Sequence, residues 1–156
     1  MTLSLRHITL IAMAGSAGLL LGALGFQYLG DMPPCKLCYW QRYGHVAALI
    51  AGGGGLLWPL RGLFLIGALG TLSSSVIGIY HSGVERLWWE GPDNCTTSSV
   101  AGLSVDDLIA RIEAAPLVRC DEIPWEMFGL TMANYNVALS GALALIWGSA
   151  LLRRKS

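Results

Sequence analysis

The chain alternates between long uncharged apolar runs and short charged stretches. Ile8 to Gly30 carries no Asp, Glu, Lys or Arg in 23 residues, Tyr43 to Leu60 none in 18, Gly62 to Val84 none in 23, and Met127 to Leu152 none in 26. About 20 apolar residues in a helix cross the hydrocarbon core of a bilayer. The pattern therefore predicts four transmembrane helices, at about 8–29, 41–58, 62–81 and 133–152. A buried soluble helix explains one such run, but not four that together cover half the chain. Outer loops are left at about 30–40 and 82–132. The expected fold is an all-α membrane protein, a four-transmembrane-helix bundle whose long outer loop carries a short amphipathic helix. Residues 1–156 are read as one integral membrane domain.

Within the long loop, Ser104-Val105-Asp106-Asp107 resembles a capping box with Asp in place of Glu. Val105, Leu108, Ile109 and Ile112 then form an apolar stripe, with Asp106, Arg111 and Glu113 opposite. Such a helix lies on a membrane surface or on the bundle. Trp88, Trp89, Trp125 and Phe128 are placed to hold the rest of the loop to the interface. Trp40 and Trp58 flank the second run and Trp147 lies toward the far end of the fourth, where interfacial aromatics are expected. Gly18 and Gly22, and separately Gly44, Ala48 and Gly52, repeat the small-residue spacing that lets helix backbones approach in lipid. Gly52 to Gly55 sit inside an uncharged run, so close packing or a local bend is expected there, not a linker. The first run differs from a cleaved signal: its apolar core exceeds the roughly 7–15 residues usual for one, and no clear A-x-A follows. A retained helix is expected.

Composition sharpens this. The 156 residues are 54% hydrophobic and only 13% charged, against roughly 25% in soluble domains. The net charge of zero hides an asymmetry and points to no nucleic-acid partner. Arg6, Arg61, Arg153, Arg154 and Lys155 fall on one side of the spans, and all ten acidic residues on the other. Positive charge in short loops and flanks marks the cytoplasmic side. Both termini are thus expected inside, and Cys35, Cys38, Cys95 and Cys120 outside. In a bacterial-type cell that outer side is oxidising, and disulfides persist there.

A C-x-x-C can be a redox pair, half of a zinc site or a staple. Structural zinc usually draws on two close pairs, and Cys95 and Cys120 stand 25 residues apart. A Cys35–Cys38 bond closes only a tiny ring and adds little loop entropy. Redox chemistry is favoured by position. Pro33 and Pro34 stop any earlier helix, and Cys38 falls in the first turn of the next, where partial positive charge favours a thiolate. Arg42 at i+4 and His45 at i+7 share its face. An arginine near apolar lipid is costly and often functional. With no nucleotide fingerprint and no haem-attachment C-x-x-C-H, the obvious electron acceptor is a small membrane-dissolved carrier, a quinone. Arg42 can donate hydrogen bonds to a quinone oxygen.

The stretch "CKLCYWQR" and the lead-in "PWEMFGLTMANYN", with four spans and two loop cysteines, resemble the bacterial disulfide-bond-formation protein B family (DsbB) over nearly the whole chain. The resemblance implies a protein-dithiol:quinone oxidoreductase in the inner membrane. Such an enzyme reoxidises a periplasmic thioredoxin-fold dithiol oxidase (DsbA-like) and passes the electrons to ubiquinone or menaquinone. Catalysis would fall to Cys35, Cys38, Cys95 and Cys120. Cys95 would form the mixed disulfide with the partner. Cys120 would then attack Cys35 and leave Cys38 as a thiolate facing the quinone. Arg42 and His45 are the candidates for binding the quinone, and no metal is implied. His81 and Glu85, at i and i+4, are further candidates for lining the pocket, although residues 81–91 carry no residue-by-residue match. A vitamin K epoxide reductase relative is the nearest alternative, but there the C-x-x-C generally follows the loop pair. A haem held by His45 and His81, or a stapled scaffold without turnover, are rivals from other classes.

Overall fold

A computed structural model describes residues 4–92, 104–106, 109, 113 and 118–153. Most of the stripe expected at about 104–114 falls outside the described residues, and so does Cys95. Four long helices account for most of the rest: α1, Leu5–Tyr28; α2, Lys36–Leu57; α3, Arg61–Glu85; and α4, Met132–Leu152. Each overlaps one of the expected spans: α3 and α4 contain theirs, while α1 and α2 start earlier and end one residue sooner. Three of them, α1, α3 and α4, are long and apolar enough to cross a membrane. The α2 sequence is less apolar, because Lys36, Gln41, Arg42 and His45 lie in its first half and four glycines in its second.

The helix ends follow local chemistry. Ser4 caps α1 by accepting from the His7 N–H. Cys35 caps α2 in the same way, its sulfur accepting from the Cys38 N–H. Thr131 and Asn134 form a reciprocal capping box on α4. Pro59 stops α2, and the chain reverses over residues 58–60, with the Leu60 N–H bonded to the Trp58 carbonyl at 2.7 Å. One departure from an all-helical chain precedes α4. Two-residue strands β1, Glu126–Met127, and β2, Leu130–Thr131, pair antiparallel. Phe128 and Gly129 between them both have positive φ, the requirement of a tight I′-type turn. Arg86 holds this hairpin to the end of α3 through the Gly129 carbonyl, at 2.9 Å.

Helix α3 packs along both α2 and α4, and α1 along α2 and α4, so the four close into a ring. Burial is inverted relative to a soluble bundle. Outward-facing Leu21, Ile50, Val76 and Leu145 are exposed, while Ser16, Gln41, His45, Ser74, His81, Glu85 and Ser140 are buried. Apolar outside and satisfied polar inside is the arrangement a lipid solvent demands. The backbones touch where α2 meets α3: a Cβ on Gly44 would strike the Gly70 carbonyl, and one on Gly70 the Gly44 carbonyl.

Two expectations about packing are corrected. Gly18 and Gly22 bring no helix close; nothing lies within 4 Å of a Cβ built on either, because both face a cavity. Trp147 is not interfacial. It is fully buried and joins Ile8, Ala12, Ala48, Phe64 and Ala150 in the apolar core. Gly67 and Gly52 make room for its ring, their missing Cβ atoms standing 2.8 and 3.1 Å from it. The four-glycine run is thus helical packing surface: Gly52 faces Met13 and Trp147, Gly54 Leu63, and Gly55 Phe64.

Candidate active site

The end of the bundle opposite Arg6, Arg61 and Arg153 gathers the end of α1, the starts of α2 and α4 and the end of α3. Cys35 and Cys38 stand there with sulfurs 3.2 Å apart, as thiols, Cys35 donating. Cys38 is the third residue of α2, so its sulfur has the helix N-terminus beneath it. Cys120 reaches the same place from the long loop. It is fully buried and packs with Cys35, Leu37 and Val84. The Cys35 thiol is pushed up to about 12. A hydrogen bond with Cys120 pulls the other way, but the bond with Cys38, burial and the nearby Cys38 charge outweigh it. Cys35 is thus held as the protonated member of the pair.

A cavity of about 590 Å³ opens beside the pair, within the size range of small-molecule sites. Its wall includes Cys35, Cys38, Arg42, His45, His81 and Glu85, so these residues singled out in the sequence share one space, while Cys120 packs beside Cys35 and is not part of the wall. Gly18, Leu19 and Gly22 of α1 form a smooth apolar side. Trp125 closes part of the rim, packed between Phe26 and Tyr135 with ring centroids 5.4 and 5.9 Å away.

Arg42 is tied to α1. Its Nη1 donates to Gln27 Oε1 at 2.6 Å and its Nη2 to the Ala23 carbonyl at 3.2 Å. A guanidinium has five N–H groups, so donors are left for a ligand. His45 is buried with both ring nitrogens engaged. Nδ1 meets Ser16 Oγ at 3.3 Å, and Nε2 meets Ser140 Oγ at 2.9 Å, Ser74 Oγ at 3.2 Å and Asn136 Oδ1 at 3.3 Å.

His81 and Glu85 are not a solvent-exposed helix end; both are buried. His81 Nε2 lies 3.5 Å from Cys35 Sγ and 3.8 Å from Glu85 Oε1, and Nδ1 lies 2.9 Å from Gln41 Nε2. Glu85 accepts from Thr131 Oγ1 at 2.6 Å, which links the end of α3 to the cap of α4. The donor atoms of Cys35, Cys38 and His81 all lie within 4.8 Å of one another, a spacing that by itself suits a metal ion. No linear motif reveals this, because the third atom comes from α3.

Gln27, Gln41 and Asn136 were missed as site residues. The available signal was a polar amide inside or beside an apolar run, which is expensive unless partnered.

Apolar helices around a buried dithiol and an apolar cavity define a membrane-embedded thiol protein. Residues 5–150 match the model of the family described as Disulfide bond formation protein DsbB, and the chain belongs to that family. Among curated proteins it is similar to Disulfide bond formation protein B of Albidiferax ferrireducens, 30% identical over 91% of this chain and 87% of the relative. The protein of the same name from Shewanella sp. (strain MR-4) is 29% identical over 90% and 84%. Disulfide bond formation protein B 2 of Pseudomonas aeruginosa is 30% identical over 74% and 72%. No solved structure matches. The chain is a membrane protein of disulfide bond formation, and the family name implies a disulfide-forming oxidoreductase.

Proposed function

We propose that this protein reoxidises a periplasmic thioredoxin-fold dithiol protein of the DsbA kind and delivers the electrons to membrane quinone. The observation that carries the reading is the placement of Cys38 and Arg42 on the wall of one apolar cavity, with Cys35 between Cys38 and the buried Cys120.

The cavity's lining fits a quinone. It is mostly apolar, and it offers a guanidinium with unused donors beside the sulfur at the helix N-terminus. Arg42 would hold the head group, with Gly18 and Gly22 leaving room along α1. When bound, quinone supplies the two-electron acceptor. The chain's own groups do the rest. Cys95, in disulfide with Cys120, takes the partner's thiolate, and Cys120 leaves as a thiolate. Cys120 attacks Cys35 and breaks the Cys35–Cys38 bond, so that one disulfide forms as another opens. The electron pair comes to rest on Cys38, where the helix N-terminus stabilises the anion. With Cys35 now bonded to Cys120, the single negative charge lies on Cys38, a sulfur on the cavity wall. The partner's second thiolate closes its own disulfide and releases Cys95, which re-forms its bond with Cys120 and frees Cys35, so two electrons and two protons have passed from the partner's dithiol to the Cys35–Cys38 pair.

In this reading α2 also spans, giving four spans in the inner membrane. Both termini are cytoplasmic and all four cysteines periplasmic, the orientation that the charge asymmetry supports. The test is quinone reduction by the purified protein with and without a reduced thioredoxin-fold carrier. Turnover only with the carrier, abolished by Cys95→Ser, supports the reading; no quinone reduction under either condition ends it.

A further inference from the structure

The hydrogen bonds around His81 fix more than its position. Asn136 Nδ2 donates to the Ser74 backbone carbonyl at 3.2 Å, an acceptor that cannot be reversed. Turning the Asn136 amide over would set Oδ1 against that carbonyl. The second N–H of the same amide then goes to Gln41 Oε1 at 2.7 Å. Gln41 is thereby oriented with Nε2 on its other side, and a second irreversible acceptor agrees: Gln41 Nε2 lies 3.3 Å from the Leu37 carbonyl. Its remaining N–H points at His81 Nδ1, 2.9 Å away. Every proton on the two amides is accounted for, and Nδ1 is left only the role of acceptor. A neutral imidazole with Nδ1 accepting carries its proton on Nε2.

That proton faces Cys35 Sγ at 3.5 Å and Glu85 Oε1 at 3.8 Å. The backbone of Cys120, buried beside Cys35, also lies against the ring, and what it can offer an N–H donor is its carbonyl. We propose that Asn136 and Gln41 are positioning residues that hold His81 as an Nε2–H donor, and that this donor docks the Cys120 segment of the long loop against Cys35. The inference rests on the reading of Cys35 and Cys120 as partners in one exchange step. It also bears on the metal-like spacing of Cys35, Cys38 and His81. The nitrogen that faces the sulfurs carries a proton in this arrangement, so a soft metal ion would have to displace it and turn Nδ1 into a donor facing the Gln41 N–H. In the opposite tautomer the Nε2 lone pair would confront the Cys120 carbonyl and push the loop away.

Two measurements test this, and neither uses quinone or a carrier. The first is nitrogen NMR of the reduced, ¹⁵N-histidine-labelled protein, with the His81 signals identified by their loss in His81→Gln. Nε2 protonated and Nδ1 bare is expected; a proton on Nδ1 overturns the proposal. The second uses a protein with Cys38→Ser and Cys95→Ser, in which only Cys35 and Cys120 can pair, equilibrated with glutathione. His81→Leu should lower the effective concentration of the Cys35–Cys120 bond about tenfold, the worth of one lost hydrogen bond. His81→Gln offers an N–H near the Nε2 position and should stay within about threefold of the parent. Gln41→Met, which removes the donor to His81 Nδ1 but leaves His81 itself in place, should fall between the two. An unchanged equilibrium in His81→Leu overturns the docking role, and loss in His81→Gln as large as in His81→Leu overturns the donor role.

Discussion

The two ends of the bundle solve opposite problems with the same helices. At the end away from the cysteines, Trp147 fills the space between helices, seated on Gly52 and Gly67 and packed on Phe64, with ring centroids 6.2 Å apart. It does so at the cost of its indole N–H, which has no partner among the described residues. Toward the cysteine end the ring of helices opens into a cavity, and almost every buried polar atom is paired. His45, Asn136, Gln41 and His81 run in one hydrogen-bonded line to Cys35. The comparison separates what holds the protein together from what it does. The filled end supplies packing, and the open end supplies space and a chosen sulfur. Variants at the two ends should therefore fail in different ways.

The largest effect expected is at Cys38. Cys38→Ser should abolish quinone reduction while leaving thermal stability in detergent near that of the parent. A comparable loss of melting temperature would mean that the open end is structural after all. Trp147→Ala should do the reverse, costing about 3–5 kcal/mol of stability as large-to-small core changes do. The thiol chemistry of whatever folded fraction remains should persist. Detergent melting with activity measured on the same samples separates the two cases. Smaller is the effect of Arg42→Lys, which keeps the charge and loses the planar fork tied to Gln27 and the Ala23 carbonyl. Losing a charged hydrogen bond costs about 1.5–3 kcal/mol, so apparent quinone affinity should fall about ten- to a hundredfold, with exchange at Cys95–Cys120 preserved. Unchanged quinone kinetics would reduce Arg42 to an interfacial anchor.

The smallest effects concern glycine and pH. Gly18→Val has nothing to clash with and should leave stability within about 0.5 kcal/mol, as at an ordinary surface site, yet narrow the cavity and raise the KM for quinone. Gly67→Val, driven into the Trp147 ring, should instead destabilise by about 1–3 kcal/mol. A group that titrates near 12 stays protonated below that pH. Cys35, pushed up to about 12, therefore stays protonated through neutral and mildly alkaline pH. Alkylation of the reduced protein between pH 6 and 9 should modify Cys38 and leave Cys35, a result mass spectrometry reads directly. Equal labelling of the two would place the proton elsewhere.

The four long helices were legible because each lies on a charge-free apolar run, and three of them are long and apolar enough to cross a membrane. The α2 boundary was legible because two prolines precede a capping cysteine. The grouping of Cys38, Arg42 and His45 followed from helical spacing alone, and all three line the cavity. Long-range fits were not legible. Gly18 and Gly22 carry the same spacing as Gly44 and Gly52, and nothing in that spacing tells a helix contact from a cavity wall. Trp147 reads as interfacial by position and is core because Gly67, eighty residues earlier, leaves it a slot. The amides of Gln41 and Asn136 acquire meaning only from backbone carbonyls they meet in the fold. The hairpin before α4 depends on Phe128 taking a positive φ, which its residue type does not announce.

The central claim is that electrons leave this protein through Cys38 into the cavity beside Arg42. Its most direct test is an anaerobic single turnover: the protein with Cys35 and Cys38 reduced, Cys95 and Cys120 replaced by Ser, mixed with one equivalent of quinone and no carrier. One quinone consumed for every two thiols lost, abolished by Cys38→Ser and slowed by Arg42→Lys, is the predicted result. Thiols that stay reduced in the presence of quinone would contradict it.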